Sequence, residues 1–270
     1  MSPIDGGRHM KSRNDIQRIS SSLNALGMQR MDELMKENIG YLKPNEDVTA
    51  AIADAFAMYA VEEKERKAEL LLKRSRIPEP AYFSDFWDYG VRVVDRELLK
   101  DATELHFIDE HRNSVIWGGS GTGKSWVARV IATNSCKALH RTLWVDFPCL
   151  IRDLRRKRAM EGMAFDSRLK YYSKFDLLCI DEFMNIDIGE GLSSNDIFLF
   201  QELVNRLYNM KKSIMVIGQC DPFKLDSFIK PRSVAQSLQG RLLGHSTVIS
   251  MAGPDLRMYD SLNEDIQTEN

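Results

Sequence analysis

Residues 118–125 read Gly118-Gly119-Ser120-Gly121-Thr122-Gly123-Lys124-Ser125, which fits the phosphate-binding pattern G-x-x-x-x-G-K-[ST]. The apolar run Ser114 to Trp117 comes directly before it and a helical stretch, Lys124 to Leu139, begins within it. The strand, loop and helix that the pattern requires are therefore all present. In such a loop glycines let backbone N–H groups turn inward as an anion nest, and the helix N-terminus adds partial positive charge. Lys124 is then placed to reach β- and γ-phosphates, and Ser125 to ligate a magnesium ion. The candidate cradle runs from Gly118 to Trp126, and its expected ligands are ATP and Mg2+.

Downstream, Leu177-Leu178-Cys179-Ile180-Asp181-Glu182 is an apolar strand that delivers two carboxylates at its C-terminal end, the rim where ligands bind in α/β sheets. Asp181 is the candidate for holding the magnesium hydration shell. Glu182 is the candidate for orienting and deprotonating an attacking water, the step that separates hydrolysis from transfer to a bound acceptor. The hydrolysis transition state spreads charge over the γ-phosphate oxygens, so further polar groups are expected around it. Gln219 closes the run Ser213 to Ile217 and reads either as a partner of the γ-phosphate or water, or as an ordinary loop residue. Arg241 and Arg257 are the candidate cations, and spacing alone places neither.

Beyond Pro80, short apolar runs alternate with amphipathic segments, the signature of a parallel sheet with crossover helices. Candidate strands are Ser114 to Trp117, Thr142 to Phe147, Leu177 to Ile180, Ser213 to Ile217 and Thr247 to Met251. Helices are expected over Lys124 to Leu139, Pro148 to Met160, Asn195 to Met210 and Ser233 to Leu243. The predicted fold is α/β, a five-stranded parallel sheet flanked by helices over residues 77–258, preceded by a helical module over residues 11–76. Pro44 separates the module's helical pieces, Ile16 to Asn38 and Val48 onward through the charge run Glu62 to Lys67; Pro78 and Pro80 end the second. Residues 1–10, MSPIDGGRHM, resemble a vector scar as much as native sequence, and residues 259–270 read as a tail.

A composition of 43% hydrophobic and 28% charged residues is that of a soluble globular protein. No apolar run approaches the roughly 18 residues of a membrane span. Cys136, Cys149, Cys179 and Cys220 form no C-x-x-C pair and read as reduced and structural, and no signal-peptide pattern opens the chain. The expected compartment is the cytoplasm. With a net charge of −2, nucleic-acid binding must come from a local basic surface. The helix after the second strand offers one: Arg152, Arg155, Arg156, Lys157 and Arg158, with Leu150, Ile151 and Leu154 on the opposite face. It reads either as sequence-nonspecific contact with DNA phosphates or as a solvated face paired with nearby acids.

These residues resemble the IstB/DnaC-like AAA+ ATPases, and more closely the IstB transposition helpers than the DnaC or DnaI helicase loaders. The similarity covers roughly Leu70 to Met258. It begins with Leu72-Lys73-Arg74-Ser75-Arg76-Ile77-Pro78 and continues through Phe83-Ser84-Asp85-Phe86-Trp87 and Glu104-Leu105-His106-Phe107-Ile108. It resumes after Asp181-Glu182-Phe183 at Ala235 to Arg257. The sequence departs from the family at two places: Gly240 stands where the family has an aspartate beside Arg241, and Gly119-Ser120 where it has Pro-Pro or Lys-Pro.

The resemblance implies an AAA+ P-loop fold and a homo-oligomeric ATPase that binds DNA and assists a transposase or, alternatively, loads a replicative helicase. It further implies Gln219 as sensor 1, Arg241 as an arginine finger reaching a neighbour's γ-phosphate, and Arg257 as sensor 2. The chain ends 19 residues after Met251, too few for the helical lid of many AAA+ modules. A reduced C-terminal lid is therefore expected, with a neighbouring subunit closing the site. The N-terminal module reads either as packing on the core or as docking to a transposase, a helicase or a neighbour. A P-loop kinase acting on a metabolite is the rival from another class, and the Asp181-Glu182 pair and the basic helix argue against it.

Overall fold

The protein is described by a computed structural model over residues 6–40, 48–85, 93–160, 162–184 and 192–257. Pro44, Phe86, Trp87, Met258 and the tail 259–270 lie outside the described residues. Two compact units divide at Lys67/Ala68, earlier than the proline-rich boundary.

The first unit holds α1 (Gly6–Ala25), α2 (Gln29–Gly40) and most of α3 (Val48–Arg74). The helix expected over Ile16 to Asn38 is two helices, because Gly27 adopts φ 74, a left-handed conformation that ends a helix. Leu23, Met31, Leu34, Met35 and Ala55 form its buried core. The charge run on α3 is satisfied locally: Glu63 pairs with Arg66 and Lys67, while Glu62 takes two 2.8 Å bonds from Arg30. These exposed pairs make a solvated face and add little stability.

The second unit contains β1 (Val93–Val94), α4 (Arg96–Glu104), α5 (His106–Asp109), β2 (Asn113–Gly118), α6 (Lys124–Lys137), β3 (Thr142–Asp146) and α7 (Phe147–Ala159). It continues with α8 (Ala164–Tyr172), β4 (Leu177–Phe183), α9 (Ser194–Asn209), β5 (Ser213–Gly218), α10 (Leu225–Phe228), α11 (Arg232–Leu243) and β6 (Ser246–Ala252). The strand order is β1-β6-β2-β5-β4-β3, in which β6, β2, β5, β4 and β3 run parallel and β1 pairs antiparallel with β6. This is the five-stranded parallel sheet of an AAA+ P-loop domain, with a two-residue edge strand added. The edge strand and the short helices α4, α5 and α8 are absent from the sequence reading.

Parallel strands covered on both faces need near-continuous apolar sequence, and the period of two still sorts their side chains. On β4, Leu178 and Ile180 pack with Leu150 and Leu154 of α7 and with Phe200 and Leu203 of α9. Leu177 and Cys179 face the other way, toward Val127 and Ile131 of α6. Among the described residues no helix is long and apolar enough to cross a membrane.

The order also places β5 between the phosphate-loop strand and the carboxylate strand, so the end of β5 opens between them. Phe183, directly after Glu182, is held by an edge contact with Phe147, ring centroids 5.1 Å apart, and a tilted contact with Phe200 at 5.8 Å. Phe200 is fully buried. Phe200→Ala is expected to lower unfolding stability by about 3–5 kcal/mol, through lost burial and a residual cavity. Urea unfolding followed by circular dichroism measures this, and a change below 1 kcal/mol would mean that the cluster does not anchor the strand end.

Candidate nucleotide site

The phosphate loop's glycines answer to their surroundings. Gly118 adopts φ 149, and a Cβ there would fall 1.8 Å from the carbonyl oxygen of Met251 on β6. Gly121 adopts φ 69, and a Cβ there would fall 1.9 Å from an Asp255 carboxylate oxygen. A side chain at 118 would push the loop off β6, and one at 121 would displace the Asp255 carboxylate and strain the left-handed backbone. Gly123 caps α6, so the loop feeds directly into the helix N-terminus.

A cavity of about 390 Å³ opens at this end of the sheet, lined by Ser120, Gly121, Gly123, Lys124, Ser125, Trp126, Asp181, Glu182, Gln219 and Arg257. Lys124 is 8% exposed, and its ammonium donates to the Gly119 carbonyl. Burial pushes its pKa below the ordinary lysine value, while Asp181 and Glu182 oppose that shift. Ser125 donates its hydroxyl to Asp181 Oδ1 at 3.2 Å, and the Glu182 N–H donates to the same oxygen at 2.9 Å. Burial pushes Asp181 above the usual carboxylate range; the two donated bonds act against it, and the charges of Glu182 and Asp146 act with it.

A half-buried carboxylate beside a hydroxyl fits a hard cation that keeps several waters and takes its other oxygens from phosphate. Among the described residues no group of three or more His, Cys, Asp or Glu could hold a metal. Ser125 and Asp181 have the oxygen donors that such a cation would need from the protein.

Asp181 and Glu182 are consecutive, and a regular strand would send them to opposite faces. Both nevertheless line one cavity. The β4–β5 pairing shifts register between Ile180 and Phe183, and Glu182 adopts φ 55. A left-handed non-glycine residue costs about 1–2 kcal/mol, a strain of the sort that recurs at functional sites. Gly218 permits the close approach, since a Cβ there would lie 2.8 Å from the Phe183 carbonyl oxygen. Gln219 follows it, exposed at the mouth of the cavity between the two motifs.

Arg257 also reaches the cavity, and its guanidinium donates to Ser120 Oγ at 2.8 Å. Arg129, Asp255 and Leu256 escape the sequence reading. Arg129 lines the cavity and pairs with Glu79 at 3.0 Å. Asp255 and Leu256 carry no motif, and they reach the loop only because the chain after β6 folds back onto it, where the Leu256 N–H donates to the Gly121 carbonyl at 3.1 Å.

Arg241 does not join the others. It lines a separate cavity of about 710 Å³ with Asn113, Lys211, Lys212 and His245, residues at or just before the starts of β2, β5 and β6. That is the opposite end of the strands from the phosphate loop, roughly 20 Å away at the usual rise per residue. Its guanidinium bonds the hydroxyl and carbonyl of Ser237, and Asn113 donates to its carbonyl oxygen at 2.8 Å. Within one chain Arg241 does not contact this nucleotide site.

On α7, Leu150, Ile151 and Leu154 are buried as expected, and Arg152, Arg156 and Arg158 are exposed, with Lys157 half-buried. Arg155 departs from the expected basic face: it donates two bonds to Asp196 of α9, which is 1% exposed. Asp196 also completes the α9 capping box with Ser193. Arg155 is thus a structural tie between helices, because an unpaired buried carboxylate would be costly. Arg156 lies 3.4 Å from Asp153, and Arg158 stacks 5.0 Å from the Phe165 ring centroid.

The family model described as "IstB-like ATP binding protein" matches residues 15–263. The chain belongs to that family. This IstB-like protein is 23% identical to the insertion sequence IS232 ATP-binding protein of Bacillus thuringiensis subsp. berliner, over 94% of this chain and 99% of the relative. It is 25% identical to the insertion sequence IS21 ATP-binding protein of Pseudomonas aeruginosa, over 76% of this chain and 75% of that one. Among solved structures, DnaI aligns with a TM-score of 0.50 at 20% identity, covering 65% of this chain and 89% of DnaI. Domain III of Thermotoga maritima DnaA aligns at 0.50 and 23% identity, covering 64% and 68%. These structural likenesses establish the AAA+ fold of the IstB-like chain, and the family establishes ATP binding.

Burial raises the Asp181 pKa in the folded chain. Its charged form is disfavoured by folding, so ionisation above the usual carboxylate range works against the fold, and that penalty is absent at lower pH. Asp181→Asn is therefore expected to melt no lower than the wild type at neutral pH with a chelator present. Magnesium and ATP should raise the wild-type Tm by several degrees and leave the variant nearly unchanged. Equal stabilisation of both proteins in thermal melts would remove Asp181 from the cation site.

Proposed function

We propose that this protein is a cytoplasmic, magnesium-dependent ATPase that oligomerises on DNA without sequence preference and assists or regulates a transposase. The observation that carries the reading is the convergence of Lys124, Ser125, Asp181, Glu182 and Gln219 on one cavity. Glu182 is exposed at that cavity and is suited to accept a proton from water attacking the γ-phosphorus. Gln219 orients that water or the γ-phosphate; Lys124 and Arg257 bind phosphate oxygens. Ser125 and Asp181 would hold a magnesium ion, which would supply the charge that neutralises the phosphates.

The names of the relatives tie them to insertion sequences, which supports a transposase partner over a helicase; the likeness to DnaI is one of fold. In the proposed assembly Arg241, at the far pole, serves a neighbour's nucleotide, and an arginine supplied in trans is worth about 10³-fold or more in other P-loop systems. Exposed Arg152, Arg156 and Arg158, with Lys157, supply the phosphate contacts to DNA, and Arg155 is excluded from that set.

ATP turnover with and without duplex DNA, with assembly size followed by light scattering, tests the reading. Glu182→Gln is expected to lose about 10²–10⁴-fold in turnover, retain ATP and accumulate large DNA-bound assemblies. Joint charge reversal at Arg152 and Arg156 should weaken DNA binding and flatten its salt dependence. If neither ATP nor DNA changes assembly size, the DNA-directed part of the proposal fails and the ATP site stands.

A further inference from the structure

The segment after β6 returns to the phosphate loop through two hydrogen bonds and is braced by a third contact within itself. The Leu256 N–H donates to the Gly121 carbonyl at 3.1 Å. Arg257 Nη2 donates to Ser120 Oγ at 2.8 Å. Asp255 takes Arg257 Nε at 3.0 Å through Oδ1 and Nη2 at 2.7 Å through Oδ2.

A guanidinium has five N–H donors in one rigid plane. Nε–H and both Nη2 hydrogens go to Asp255 and Ser120, which leaves the two hydrogens of Nη1 without a partner among the described residues. The carboxylate fixes the plane of the group and the hydroxyl fixes its place on the loop. Room for this arrangement is made at Gly121, where any Cβ would fall 1.9 Å from Asp255 Oδ1.

We infer that Asp255 and Ser120 are positioning residues for Arg257, holding its guanidinium against the phosphate loop with the Nη1 edge left for a γ-phosphate oxygen of ATP. The inference rests on the proposed role of Arg257 at the bound triphosphate. Ordering a long, rotamer-rich side chain before the ligand arrives reduces what binding must later spend on immobilising it. Only a nucleotide long enough to meet that edge gains from it.

Charge alone would act differently. Asp255 faces Lys124 as well as Arg257, and its carboxyl is held below the usual range first by the bond from Arg257. A negative group there repels every polyphosphate, so removing its charge without any loss of positioning would tighten ATP and ADP together. A positioning role lowers the preference for ATP over ADP instead.

The test titrates the full chain with fluorescent N-methylanthraniloyl ATP and ADP in magnesium buffer. It compares wild type, Ser120→Ala, Asp255→Asn, Arg257→Ala and the doubles of the first two with the third. Ser120 is exposed and Asp255→Asn keeps the side-chain volume, so both variants preserve the core. Arg257→Ala is expected to cut the ATP-over-ADP preference about tenfold, and Ser120→Ala and Asp255→Asn about threefold each, with no further loss in the Arg257→Ala background. Equal changes in ATP and ADP affinity, or the same loss with Arg257 already removed, would overturn the inference and leave the role of Arg257 standing. An unchanged preference in Arg257→Ala itself would overturn both.

Discussion

Between Ile180 and Phe183 the fourth strand leaves register with its neighbour, and two adjacent carboxylates turn toward a single cavity. The arrangement depends on this slip. It needs a left-handed Glu182, a glycine at 218 to admit the Phe183 carbonyl, and an aromatic cluster of Phe147, Phe183 and Phe200 to hold the strand end. Without it a regular strand would send one of the two acids to the opposite face of the sheet. The backbone strain is small beside the burial of three phenylalanines, which is why the geometry can persist.

Burial works against the charge on both Lys124 and Asp181, depressing one pKa and raising the other. A phosphate anion favours the charged lysine and a divalent cation favours the ionised aspartate, so a metal–nucleotide complex answers both at once. Arg257 is different: exposed and already paired with Asp255, it is held by hydrogen-bond geometry instead of by burial.

The domain is polar along its strands. Phosphate loop, carboxylates and Gln219 occupy the C-terminal ends, while Arg241, pinned by Ser237 and Asn113, occupies the N-terminal ends. In the proposed assembly this separation would let one chain donate the arginine and another the nucleotide. Helix packing, in turn, makes α7 only partly a basic surface: Arg155 is committed to a buried aspartate, and Arg152, Arg156 and Arg158 are exposed.

The sequence by itself determined the phosphate loop, the apolar strand that ends in Asp181-Glu182 and the α/β class, because each is a local pattern whose chemistry depends on neighbours in the chain. Close spacing sufficed for Lys124 and Ser125, and continuous apolar runs sufficed for buried parallel strands. Only the tertiary structure decided what distance in sequence conceals. It set the strand order that places Gln219 between the two motifs, brought Arg257 and Asp255 to the loop, sent Arg241 to the far pole and drew Arg155 inward. These depend on which strands pair and which helices pack together, and an isolated arginine or aspartate has the same local signature on a solvated face as in a site.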